Sequence, residues 1–181
     1  MQHRIIVVET LAEVPVAAAQ AHWRDRHAGV YAPTPLLAGY VQNRPLEEEW
    51  PRLGPRTICS ETWFADRDAE RESFGCDYYR DNVMPDEATF LDRASAWMGR
   101  FVGGPGSPVG RGRYRVLAFG ADAIPGAEAD VLEVDREPWA GGGPRVLSLW
   151  LDDRARALEL ARATPSFAFA AEPAIVVPPP A

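Results

Sequence analysis

The feature of this sequence that leaves the fewest folds open is the order of its pattern changes over residues 4–102. Arg4 to Thr10 (RIIVVET) is short, continuous and β-branched, which predicts a buried strand. From Pro15 to about Val30, Ala19, Trp23, His27 and Val30 or Tyr31 recur at three- and four-residue steps. That spacing predicts a helix with one inward face, opened by a proline suited to a first turn and stopped by Pro33 and Pro35. Leu36–Arg44 and Thr57–Phe64 alternate as strands do, with the polar loop PLEEEWPRLGP between them. Asp66 caps a second helix (RDAERESFGC), looser helical turns follow over Asp77–Asn82 and Pro85–Leu91, and Ala94–Val102 is a fourth strand. The order βαββαβ is that of the ferredoxin-like split unit.

A Gly/Pro linker, Gly103–Gly112 (GGPGSPVGRG), follows, and beyond it the order partly repeats. Tyr114–Phe119 is a strand, Val131–Arg136 and Arg145–Leu151 form a hairpin, Asp152–Ala163 is an amphipathic helix and Phe167–Val177 a final strand. The first helix of this second unit is shortened or lost between Ala121 and Asp130. A lone ferredoxin-like sheet keeps one face uncovered, and two in one chain can cover each other as a barrel-like core. The expected architecture is therefore α+β. A first half, 1–102, carries a pocket between sheet and helices; the linker is 103–112 and a degenerate second half is 113–181.

Composition removes several function classes. The net charge of −7 argues against a nucleic-acid partner. All 19 basic residues are arginine, which removes Schiff-base chemistry, pyridoxal attachment and a phosphate-loop lysine together. No stretch approaches the roughly 18 apolar residues of a membrane span. The opening MQHRIIVVET lacks the apolar region of a signal peptide, so a cytoplasmic protein is expected. Cys59 and Cys76 read as free thiols, and His3, His22 and His27 are too scattered for a metal site. No Gly-rich βα turn accompanies them, and no metal, haem or flavin is expected.

The polar residues that could carry chemistry cluster in the first half. Trp23 and His27, four apart, share the inward face of the first helix, while His22 falls about 100° away at its edge. A histidine there serves equally well as a satisfied core residue. Tyr40 and Asn43 lie on the second strand, Glu61 on the third, and Asp86 with Glu87 before the fourth. An imidazole near a carboxylate can act as acid or base, and Tyr40 and Asn43 could hold an enol or carbonyl oxygen. Trp23, Trp63, Phe64 and Phe90 would wall a site for a flat ligand, although Trp63 and Phe90 fit a plain core as well. Glu61 alternates with Ser60 and Thr62, so a solvent-facing position stays open for it.

The segments HWRDRHAGVYAPTPLLAGYVQNRPL, SETWFADRDA and MPDEATFLDR resemble the EthD-domain family over roughly residues 4–102. Matched positions are Trp23, His27, Tyr40, Asn43, Glu61, Asp86, Glu87, Phe90 and Asp92. The resemblance implies a dimeric α/β-barrel fold and a cofactor-free helper in degradation or polyketide tailoring. The leading expectation is an acid/base lyase or cyclase (dehydration, decarboxylation or cyclisation) in antibiotic-type biosynthesis, acting on a hydrophobic aromatic or polyketide-like carbonyl compound. In it His27, Tyr40 and Asn43 are catalytic, and Trp23, Glu61, Trp63, Asp86 and Phe90 bind substrate. A cofactor-free monooxygenase and a non-catalytic accessory binder are the two rivals, and a homodimer is compatible with the class.

Overall fold

The computed structural model describes residues 1–102, 111–135 and 145–180. Most of the Gly/Pro linker, residues 103–110, lies outside the described residues, and with it the expected crossing between halves. The strands are β1 Gln2–Thr10, β2 Gly39–Pro45, β3 Ile58–Phe64, β4 Leu91–Arg100, β5 Tyr114–Phe119, β6 Asp130–Glu133, β7 Arg145–Leu151 and β8 Phe167–Val177. Helix α1 spans 16–31, α2 is a short pair of turns over 47–53, α3 is Arg67–Gly75, α4 spans 79–87 and α5 is Arg154–Ala163. No helix among the described residues is long and apolar enough to cross a membrane.

All eight strands join one antiparallel sheet in the order β4-β1-β3-β2-β8-β5-β7-β6. Each half has the strand order of a ferredoxin-like unit, and β2 of the first pairs with β8 of the second, from Tyr40–Val177 to Pro45–Ala171. The sheet curls until its ends meet. Phe101, just past β4, bridges Val134, just past β6, with Val102 N donating to Glu133 O at 2.9 Å and Asp135 N to Arg100 O at 2.9 Å. Ile5, Val7 and Cys59 meet Leu117, Phe119, Val146 and Phe169 inside the barrel thus formed. The two halves in one chain make a barrel whose second unit has no helix between β5 and β6 among the described residues.

The elements follow local chemistry closely. The side chains of Asp66 and Asp153 accept from Ala69 N and Arg156 N, satisfying amides at the starts of α3 and α5. β2 begins at Gly39 rather than Leu36, because Leu36 sits in a left-handed turn at φ 64°. Gly39 is held tightly there: a Cβ would come within 2.8 Å of Pro179 Cα. β4 begins at Leu91, three residues before the expected Ala94, because Leu91 and Asp92 already pair with Thr10 and Glu9 ahead of an irregularity in the register.

Candidate functional site

Alternation sorts the strands of the first half between two faces. Ile5, Val7, Cys59, Glu61 and Asn43 point into the barrel, whereas Arg4, Ile6, Val8, Ser60, Thr62 and Tyr40 point out toward α1, α3 and α4. Between that outer face and the helices lies a cavity of about 410 Å³, within the range of small-molecule sites. Its floor is a grid. Arg4, Thr62 and Tyr40 are register partners in one row across β1, β3 and β2; Ile6, Ser60 and Gln42 form the next, and Val8 with Ile58 the one after. Trp23, His27, Tyr31, Phe74, Tyr79 and Glu87 roof it.

The roof owes its geometry to a wide turn. α1 is interrupted at Trp23–His27 by a π-helical turn, in which residues five apart bond along the axis. Gln42 Nε2 donates to the carbonyl of Trp23 at 2.8 Å and pins this turn to β2. The extra residue brings His22 and His27 over the same carboxylate. His27 Nδ1 lies 2.8 Å from Asp86 Oδ2 and His22 Nε2 lies 3.0 Å from Asp86 Oδ1, with Arg26 Nε 3.2 Å from the same oxygen. A second π-helical turn, Tyr79–Val83, precedes Asp86 and Glu87 in α4.

His27 is buried, its ring edge-on to Phe90 at 5.3 Å. With Asp86 accepting from Nδ1, the other ring nitrogen, Nε2, is an acceptor with no partner among the described residues. Burial lowers the imidazole's pKa against the opposing pull of Asp86, which favours the neutral form a base requires. The Tyr40 oxygen accepts from Trp23 Nε1 at 3.2 Å and from Gln42 Nε2 at 3.0 Å. The Ser60 hydroxyl hydrogen-bonds this phenol as well, and burial pushes its pKa up to about 12, so the phenol keeps its proton. Tyr79 Oη donates to the Glu87 carboxylate at 3.2 Å, and burial raises the pKa of that carboxyl.

Of the residues singled out from sequence, the structure brings together Trp23, His27, Tyr40, Asp86 and Phe90. It separates Asn43, Glu61 and Trp63 from them. Asn43 faces the barrel, where its Nδ2 donates to Glu61 Oε1 at 2.8 Å and its oxygen accepts from Arg115 Nη1 at 3.2 Å. Glu61 is neither solvent-facing nor in the cavity: it is 1% exposed and also bonds Arg115 and His3. Burial would raise its carboxyl, but the Arg115 guanidinium, helped by His3 and Asn43, holds it at about 2. Trp63 stacks on His3 at 4.1 Å, also away from the cavity. Asp86 is engaged with the two histidines rather than turned to a ligand, and Phe90 supports His27 from behind. Sequence reasoning passed over Arg4, Ser60, Thr62 and Tyr79; alternation from Ile6 and Val8 would have found Arg4. Among the described residues no cluster of three or more His, Cys, Asp or Glu side chains could hold a metal ion.

Residues 12–94 match the EthD domain family. A crystal structure assigned as a chlorite dismutase (TA0507) superposes with a TM-score of 0.51 at 8% identity, covering 97% of this chain and 96% of that one. At that identity the likeness is one of fold alone. No curated protein matches the sequence.

Proposed function

Starting from a chain that carries an EthD domain over residues 12–94, we propose that this protein is a cofactor-independent lyase or cyclase acting on an aromatic or polyketide-like carbonyl compound. One observation carries the reading: a buried histidine, oriented through Nδ1 by Asp86, presents a bare Nε2 to an aromatic-lined cavity. His27 takes a proton from the carbon beside the substrate carbonyl, and the electron pair passes to the carbonyl oxygen as an enolate. The Tyr40 hydroxyl donates to that oxygen. In a dehydration the enolate collapses, the β-carbon–oxygen bond breaks, and the imidazolium returns its proton to the departing hydroxide as water. Asn43, given a share of this work from sequence, is replaced as Tyr40's neighbour by Ser60, on the cavity side of β3.

The test needs no knowledge of the natural substrate. A base so placed should catalyse exchange of the α-protons of 2-tetralone into D₂O, followed by NMR. His27→Gln should slow that exchange by about 10²- to 10⁴-fold, the range for one acid/base group. Melting temperature, taken on the same sample, should move little, since His22 and Arg26 keep Asp86 partnered. Unchanged exchange in a folded His27→Gln protein would defeat the assignment. Oxygen consumption by ligand-loaded protein would turn the reading to the monooxygenase, and tight binding without exchange to the accessory binder.

A further inference from the structure

The floor of the cavity is not uniform, and two members of its polar row, Arg4 and Thr62, have nothing to do in the proton transfer. Arg4 is 8% exposed and makes one long ion pair, Nη1 to Glu70 Oε1 at 3.3 Å. That carboxylate is already taken: Arg100 Nε and Nη2 grip both its oxygens at 2.9 and 3.0 Å. Arg4 Nε is buried without a partner, and Nη2 makes no hydrogen bond among the described residues. Its guanidinium lies 4.4 Å over the Phe74 ring, which fixes the plane. The other anion of the cavity, Glu87, is engaged by Tyr79 and by Arg93 at 3.4 Å. Directly opposite Arg4 in the register, Thr62 Oγ1 is also buried without a partner.

A buried guanidinium with spare donors and a half-share of one carboxylate is costly to hold, and an arriving anion relieves that cost. We infer that Arg4 and Thr62 form an anion subsite for the substrate, so that the compound handled here is an acid, carrying a carboxylate or phenolate oxygen on a flat apolar body. The inference rests on the reading of His27 given above and names the substrate class for that same cavity. Val8 lies four residue steps along β1 from Arg4, about 13 Å. Val8 and Ile58 belong to the cluster of Phe90, which packs on His27. The cavity thus offers a charged grip in its floor on β1 and β3 and an acid/base group in its roof, two different contacts that orient an unsymmetrical molecule.

The experiment compares 2-naphthoate with 2-naphthamide, nearly equal in shape and differing in charge, by titration calorimetry. Wild type should prefer the naphthoate by tenfold or more. Arg4→Gln should weaken the naphthoate by about 10- to 100-fold and leave the amide within about threefold; Thr62→Val should weaken it by about tenfold. Equal affinity for the two probes in wild type, or an equal loss of both in the variants, overturns the subsite. If Arg4→Gln does not fold, Thr62→Val decides alone, its naphthoate affinity either falling or standing. His27→Gln keeps the two proposals apart: it should retain the preference for naphthoate over naphthamide while losing tetralone exchange. Exchange that survives in His27→Gln beside a charge preference that depends on Arg4 would sink the base and spare the subsite.

Discussion

The outer faces of the two sheets are built on the same strand order and filled in opposite ways. Under α5 the second half sets Ala157, Leu160 and Ala161 against Val116, Ala118, Ala168 and Ala170, small side chains that let the helix settle onto the strands. Above β1, β3 and β2 the first half sets Trp23, His27, Tyr31 and Tyr79, rings that hold the helices off the sheet and leave a space of about 410 Å³. Among the described residues the second half has no counterpart of the helix that carries Trp23 and His27 in the first. A repeated unit need not repeat its site. One copy is packed to complete the barrel, and the other keeps a gap in its packing where chemistry fits.

The contrast can be broken experimentally, beginning where the halves meet. Arg115 of β5 reaches Glu61 of β3 through the barrel, and Arg115→Leu would leave that carboxylate buried and under-compensated. The expected loss is about 3–5 kcal/mol by urea unfolding, most of it recovered in the Arg115→Leu, Glu61→Leu double variant. A single variant as stable as wild type would mean that the pair does not tie the halves together. The same pair governs acid stability. Because Glu61 is held at about 2 from an ordinary 4.5, its contribution is whole above pH 4.5 and is lost as pH falls toward 2.

Next in size is the packing difference itself. Leu160→Ala in the filled half should cost about 3 kcal/mol, and Ile6→Ala on the cavity floor about 1, because Ile6 already borders empty space. Equal losses on urea unfolding would erase the distinction between the two faces. The smallest effect is electrostatic. His27 has a folded pKa below its ordinary 6.5, so the stability it lends is present above pH 6.5 and is lost as pH drops below that value. Melting temperatures at pH 7.5, 6.0 and 5.0 should therefore fall less in His27→Gln than in wild type.

How much of this was legible depended on the period involved. Strand alternation is local, and it places Tyr40 and Asn43 an odd step apart, on opposite faces, so one oxygen held by both contradicts a distinction the pattern already contained. For Glu61 alternation found the face, but only tertiary structure reveals that this face meets a second sheet and Arg115, 54 positions away, rather than water. His22 was set at the helix edge by a 100° step, which does not hold in a π turn, where residue 22 comes into line with residue 27. Arg4 went unnoticed because one charge at the head of a β-branched run reads as a strand end; its worth lies in Glu70 being already claimed by Arg100.

The closure of the barrel by Phe101 and Val134 has a further consequence. With both sheets on one polypeptide, the partner surface is delivered at a fixed stoichiometry and cannot be lost by dilution, whereas a barrel made from two separate chains comes apart as concentration falls. Unfolding of this protein should then occur at a midpoint independent of its concentration. Its ligand should saturate at one per chain, because the symmetry that would give a two-chain barrel a pair of equal sites is absent here.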